Sequence, residues 1–225
     1  MSFDGFGDET FAFLRDLHAN NSKDWFQQKE NQRRYKAHLV APAKAFVVAV
    51  GEELSDLGDL NAVPTGNGSL GRINRDIRFS KDKTPYNTHM SFDFWLGDGS
   101  KKESAGFRVW VGLDGLSVGA GSRGLSDLEA FRAAIDEPGR GDALAEAIAD
   151  CEAQGFVSGG DTYKRVPKPY AADHPHAELL KLKSFHVVER TAFPKSVGLP
   201  TFAAHVAGRM RACLPVARWL QGLLG

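Results

Sequence analysis

Residues 90–120 read MSFDFWLGDGSKKESAGFRVWVGLDGLSVGA, and their apolar side chains recur at every second position. Met90, Phe92, Phe94 and Leu96 share one parity, then Phe107, Val109, Val111 and Leu113, then Leu116, Val118 and Ala120. A period of two places each set on one face of a β-strand. The links GDGSKKESA and DG are short and turn-rich, so neighbouring strands are expected to pair antiparallel, as a meander without crossover helices. Upstream, Arg72–Phe79 keeps the same period through Ile73, Ile77 and Phe79, which predicts a further strand.

On both sides of these strands the spacing becomes helical. Asp8 is placed to cap a helix with Phe11, Leu14 and Leu17 on its apolar side, and Ser22 to cap a second that begins KDWFQQKENQRRY. Pro42 suits the first turn of a third helix carrying Phe46, Val50 and Leu54, and a polar loop, GDLNAVPTGNGS, leads from it into the strands. Residues 126–153 predict two helices with eight acids against two arginines. A Pro- and Lys-rich loop follows, then a short helix around Glu178 to Lys183 and a strand-like SFHVVERTAF. The last helix carries Phe202, Val206, Met210 and Leu214, and Pro215 kinks or breaks it. The expected fold is α+β: an antiparallel meander sheet of about four to six strands packed against N-terminal and C-terminal helices. Residues 1–225 are expected to form a single domain.

Composition narrows the function classes. At 225 residues and 42% hydrophobic the chain can bury a full-sized core. Its 28 basic and 28 acidic side chains cancel, which disfavours nucleic acid and anionic membranes as partners of the whole surface. No stretch approaches the ~18 uncharged apolar residues of a membrane span. Cys151 and Cys213 fall in helical stretches and fit free thiols in a reducing compartment, so the expected location is cytoplasmic. Residues 66–71, GNGSLG, match the dinucleotide fingerprint formally, but they follow a loop and open a strand, which rejects that reading. Asp173, His174 and His176 lack the further ligands of a zinc site, so no metal is expected, and no motif identifies a cofactor.

The chemistry concentrates in residues 71–86, GRINRDIRFSKDKTPY. On a strand, Arg72, Asn74, Asp76 and Arg78 share one face, and Ile73, Arg75, Ile77 and Phe79 the other. Arg75 on the apolar side requires carboxylate or carbonyl partners, so Arg75, Asp76 and Asp82 are expected to form a structural ion-pair group. The polar face gains His89, Asp93, Trp95, Arg108, Trp110 and Ser117, with Gly119 and Gly121 leaving room beside the indoles. Such a face is either a ligand platform or a second core layer. Tyr86 and His89 are the candidates for proton transfer in any reaction. A second basic segment, YKRVPKPYAADHPHAELLKLKSF, supplies Lys164 and Lys168; it either converges on the same anion or faces the acidic helices.

Two readings follow. In the first, an anionic small molecule, phosphorylated or carboxylated, binds through Arg72, Arg78, Lys83, Arg108, Trp95, Trp110, Lys164 and Lys168, with catalysis left open. In the second, the chain is a non-enzymatic interaction module for an acidic protein or nucleic acid, and its arginine-rich strand is a structural ion-pair network. Oligomeric state is left open in both.

Arg72, Arg75, Asp76, Arg78, Phe79, Asp82, Lys83 and Tyr86 together resemble the signature of a bacterial and fungal family known as domain of unknown function 2461. NNSKDWFQQKENQRRY is similar to the family's helical opening at Asn20, Asn21, Trp25, Phe26, Lys29 and Tyr35. The third block is similar at Lys164, Arg165, Pro167, Lys168, His174, Pro175, Leu180, Lys181 and Lys183, and the likeness spans about residues 8–220. The resemblance implies that the three blocks belong to one fold; it implies no reaction, substrate or cofactor.

Overall fold

The computed structural model describes residues 2–122 and 127–223. Helix α1 (Asp8–Ala19) begins one residue earlier than a cap at Asp8 would place it. Gly7 takes the capping position, and Asp8 and Glu9 occupy the first turn, where carboxylates meet the positive end of the helix dipole. Its buried side is Phe13, Leu14 and Leu17, while Phe11 lies at the edge against Phe193. Helix α2 (Lys23–Phe26) is capped by Ser22, whose hydroxyl accepts the Trp25 N–H at 3.3 Å. It stops after one turn and α3 (Lys29–Arg34) follows. Asn31 Nδ2 donates to the Trp25 carbonyl at 2.8 Å and Gln32 Nε2 to that of Phe26 at 2.7 Å, which fixes the corner between them.

From α3 the chain continues through a π-helical stretch, Tyr35–Val40, into α4 (Ala41–Glu53). Pro42 has no N–H for the His38 carbonyl four residues back. The hydroxyl of Thr10, only 2% exposed, donates to that carbonyl at 2.7 Å instead. Phe46, Val50 and Leu54 are buried, as their spacing predicts.

The strands are β1 (Leu60–Asn61), β2 (Met90–Leu96), β3 (Ala105–Val111) and β4 (Leu116–Ser122). Helices α5 (Leu128–Asp136) and α6 (Arg140–Ala153) come next, then β5 (Val157–Gly159), α7 (Ala177–Leu180) and β6 (His186–Thr191). Ser126, first residue of the expected helical stretch, lies outside the described residues. Helices α8 (Phe202–Ala212) and α9 (Leu214–Gln221) end the fold, and Pro215 sits in the first turn of α9, so it opens a new helix. The six strands form an antiparallel sheet in the order β1-β2-β3-β4-β6-β5. Met90, Phe92, Phe94, Leu96, Phe107, Val109, Val111, Leu116, Val118 and Ala120 are all buried, so the meander follows its alternation. β1 lies inside the stretch expected to be a polar loop.

Two further expectations are corrected. Arg72–Phe79 is not a strand: it forms one arm of an irregular hairpin with an isolated bridge, Asn74 to Tyr86. A regular ladder needs backbone donors at every second residue. Pro85 has none to return to the Arg75 carbonyl, and the Ile77 carbonyl, next in the ladder, accepts from the Lys83 ammonium (2.9 Å) and the Ser80 N–H (3.4 Å) instead. Gly119 and Gly121 do not leave room for a ligand. A Cβ at Gly119 would overlap the Val187 carbonyl oxygen, and one at Gly121 would lie 2.9 Å from that of Phe185, so both glycines admit the neighbouring backbone.

The chain packs as two compact units. The first comprises residues up to Phe94, Val109–Ser117 and Arg190–Gly208. At its centre Phe46 meets the rings of Phe3, Phe6, Phe92 and Phe202 at 4.8–5.7 Å, pairs that contribute about 0.5–1.5 kcal/mol each beyond their buried area. The second comprises Trp95–Arg108, Val118–Glu189 and the chain from Arg209. There α6 packs on α5 and α9, burying Leu144, Cys151, Val216 and Leu220, with Phe131 edge-on to Trp219 at 5.7 Å.

Candidate functional site

The arginine hairpin lies in the first unit, and its base is tied to the N-terminal helices. Asn21, between α1 and α2, grips Tyr86 as a strand would: its Nδ2 donates to the Tyr86 carbonyl at 2.9 Å and its Oδ1 accepts the Tyr86 N–H at 3.1 Å. The Tyr86 ring is 6% exposed and lies against Phe26 with centroids 4.2 Å apart; burial raises the pKa of its hydroxyl. These contacts make Tyr86 the anchor of the hairpin, and through them the helical opening and the arginine segment meet.

Toward the tip, the charges satisfy one another. Arg75 donates to Asp82 at 2.5 Å, to the Thr84 carbonyl at 3.2 Å and to the Thr84 hydroxyl. Asp82 titrates at about 2, held down first by the Thr84 N–H and then by Arg75. Arg78 forks onto Asp76, Nε to Oδ1 at 2.9 Å and a terminal nitrogen to Oδ2 at 2.6 Å, and keeps that carboxyl at about 2. Asp76 is thus the partner of Arg78, not of Arg75. Lys83 Nζ donates to the Ile77 carbonyl at 2.9 Å, and Phe79 stands 95% exposed at the turn.

Arg72 differs from the other two arginines. Its side chain is exposed and has no hydrogen bond or ion pair among the described residues. It lines a cleft with about 40 Å³ of room, together with Tyr35, His89 and Ser91 and an apolar wall that includes Leu39, Ala43, Ile73 and Met90. A single water needs about 10–15 Å³, and sites enclosing drug-sized ligands about 300–1,000 Å³. The enclosed room is therefore that of a head group or a very small molecule. His89 stacks on Trp110 at 4.5 Å with 19° between the planes, which fixes its ring. Gly71, also in the lining, allows the close approach to Ser91, since a Cβ there would overlap the Ser91 hydroxyl.

The remaining sequence candidates lie in the second unit. Trp95 is half-buried and donates through Nε1 to the Gly99 carbonyl at 2.9 Å; Arg108 is exposed on β3. The basic loop docks on the acidic helices. Arg132 donates to the carbonyls of Leu180 (3.0 Å) and Leu182 (3.4 Å), His174 pairs with Asp136 (3.2 Å) and His176 with Asp142 (2.8 Å). Lys164 and Lys168 remain exposed, with no side-chain partner among the described residues. No group of three or more His, Cys, Asp or Glu among the described residues is placed to hold a metal ion.

Tyr35 is the residue that spacing and charge did not single out. The signal for it is indirect: a proline inside a helical pattern marks a disturbed turn just upstream, and Tyr35 opens that turn. The chain matches no curated protein and no solved structure. The family model for domain of unknown function 2461, described as conserved hypothetical protein, matches residues 9–219, and the chain belongs to that family.

Proposed function

We propose that this protein binds an anionic small molecule in the cleft at the hairpin base, with Arg72 as the anion contact and His89, fixed against Trp110, beside it. One observation carries the reading: of the three arginines in the segment, Arg72 alone has no side-chain partner among the described residues, and it lines a cleft. A guanidinium with its donors unused presents a planar fork to a carboxylate or phosphate. In any reaction at this site His89 takes the proton-transfer role, as the imidazole lining the cleft. A cytoplasmic setting is supported by Cys151 and Cys213, both buried free thiols. No helix among the described residues is long and apolar enough to cross a membrane.

Thermal shift with phosphate, sulfate and small carboxylates tests the reading, because a ligand bound only by the native state raises the melting temperature. An anion that stabilises the wild type and Arg78→Ala but not Arg72→Ala is the expected result. Equal shifts in Arg72→Ala and wild type, or none with any anion, overturn it.

A second reading has its own support. Lys164, Arg165 and Lys168 are exposed and without side-chain partners among the described residues, which suits an interaction module that meets an acidic protein or nucleic acid through this loop. Fluorescence anisotropy with polyglutamate and a single-stranded oligonucleotide separates the two. Binding that weakens steeply with salt and is lost in the Lys164→Glu, Lys168→Glu double variant favours the module.

A further inference from the structure

We infer that the ligand of this cleft is a short-chain monocarboxylate, its carboxylate held by the Arg72 guanidinium and the Tyr35 hydroxyl and its alkyl group laid against Leu39, Ala43 and Met90. The inference rests on the anion-binding reading above and narrows it to one chemical class.

Charge is the first argument. Among the described residues lining the cleft, Arg72 is the one permanently charged side chain, and no lysine joins it. One guanidinium matches one carboxylate through two parallel hydrogen bonds. A phosphate dianion calls for further donors, usually free backbone N–H groups or a second cation. The nearest glycine offers none: the Gly71 N–H is already donated to the Ser91 carbonyl at 2.7 Å.

The wall is the second. Leu39, Val40, Ala43, Leu70, Ile73, Met90 and Phe92 make the lining mostly aliphatic or aromatic, a surface that phosphate oxygens leave unused. An alkyl tail uses it, and each buried methylene tightens binding about fourfold. The 40 Å³ of room is a few times what a water needs, so the tail is limited to a few carbons.

Tyr35 is the third. Its hydroxyl makes no hydrogen bond among the described residues. Yet no buried side-chain nitrogen or oxygen among the described residues lacks a partner, so this hydroxyl keeps some access to solvent, on a residue that lines the cleft. Burial of the ring raises its pKa, which keeps the group a neutral donor. Tyr35 begins the π-helical stretch whose Leu39 and Val40 also line the cleft, and π turns recur at functional sites.

The test is a two-dimensional NMR titration of the full chain with acetate, propionate, butyrate and octanoate, and with phosphate, at matched ionic strength. We expect affinity to rise about fourfold per methylene from acetate to butyrate and to fall at octanoate. Tyr35→Phe is expected to weaken butyrate about five- to tenfold with an unchanged amide spectrum elsewhere, the effect of one lost hydrogen bond. Arg72→Gln is expected to abolish binding. Phosphate binding that depends on Arg72, with the carboxylates silent, overturns the monocarboxylate assignment and leaves the anion reading standing. Silence of every anion overturns both, and wild-type affinity in Tyr35→Phe removes Tyr35 from the site.

Discussion

Residues 71–86 and 163–185 carry the same charges, five basic side chains against two acidic ones, yet they settle them differently. In the first, Asp76 lies two residues from Arg78, and Asp82 faces Arg75 across the turn, so both pairs close inside the hairpin. In the second, Glu178 takes Lys181, while the tethers to α5 and α6 use His174, His176 and main-chain carbonyls. Lys164, Arg165 and Lys168 are left facing water. A count of charges therefore says little about which cation is available. Separation along the chain says more, because a partner a few residues away needs only a small loop to be closed.

The contrast is broken most severely at its anchors. Tyr86→Ala is expected to destabilise the protein by about 3 kcal/mol or more, since it empties a buried aromatic position, whereas Tyr86→Phe keeps the packing. Urea denaturation of both variants checks this, and a neutral Tyr86→Ala would mean that the hairpin is not held by its base. Arg132→Ala is expected to cost about 2 kcal/mol, because it removes a charged donor from two carbonyls of the basic loop. Limited proteolysis should then cut first within residues 161–183, with the hairpin intact.

Acid sharpens the comparison in a different way. Asp76 and Asp82 titrate at about 2 in the fold against 3.8 ordinarily. A depressed folded value means that their contribution is complete above pH 3.8 and is lost as the pH falls toward about 2. Both carboxylates are well exposed, so the effect is small and screened by salt. The urea midpoint of the wild type should fall between about pH 5 and pH 2 more than that of an Asp76→Asn, Asp82→Asn variant, with molar salt narrowing the gap. Smallest of all is Arg78→Ala, which should leave the midpoint at neutral pH within error, because its ion pair is open to water on both sides.

The elements that could be read from spacing are those whose side chains alternate because one face is buried. β2, β3 and β4 are of that kind, and so are the apolar sides of α1 and α4. The hairpin shows why the same signal misleads at Arg72–Phe79. Exposure there does alternate, even positions open and odd ones half-buried as far as Arg78, since an extended backbone is enough for that. A strand also needs a donor ladder, which Pro85 interrupts, and the alternation ends at Phe79, expected inside and found at the turn. β1 and β5 are two and three residues long, too short to show a period. The place of β6 between β4 and β5 follows from pairing between distant segments, for which Gly119 was a legible but ambiguous hint. Arg72 and His89 were readable as types of residue; the cleft that joins them to Tyr35 is built from three segments far apart in the sequence.

The π-helical stretch has a consequence for how the chain tolerates change in length. Such a turn is a helix that has absorbed one extra residue without forming a loop. Deleting one residue between Tyr35 and Val40 would remove that extra residue and rotate the side chains on its N-terminal side by about 100° relative to those beyond it. Phe46 and Val50 would keep their facing while Tyr35 swung off the cleft. The stretch acts as a phase adjuster in the helix, and the number of residues in it, more than their chemistry, determines which side chain reaches the opening beside Arg72.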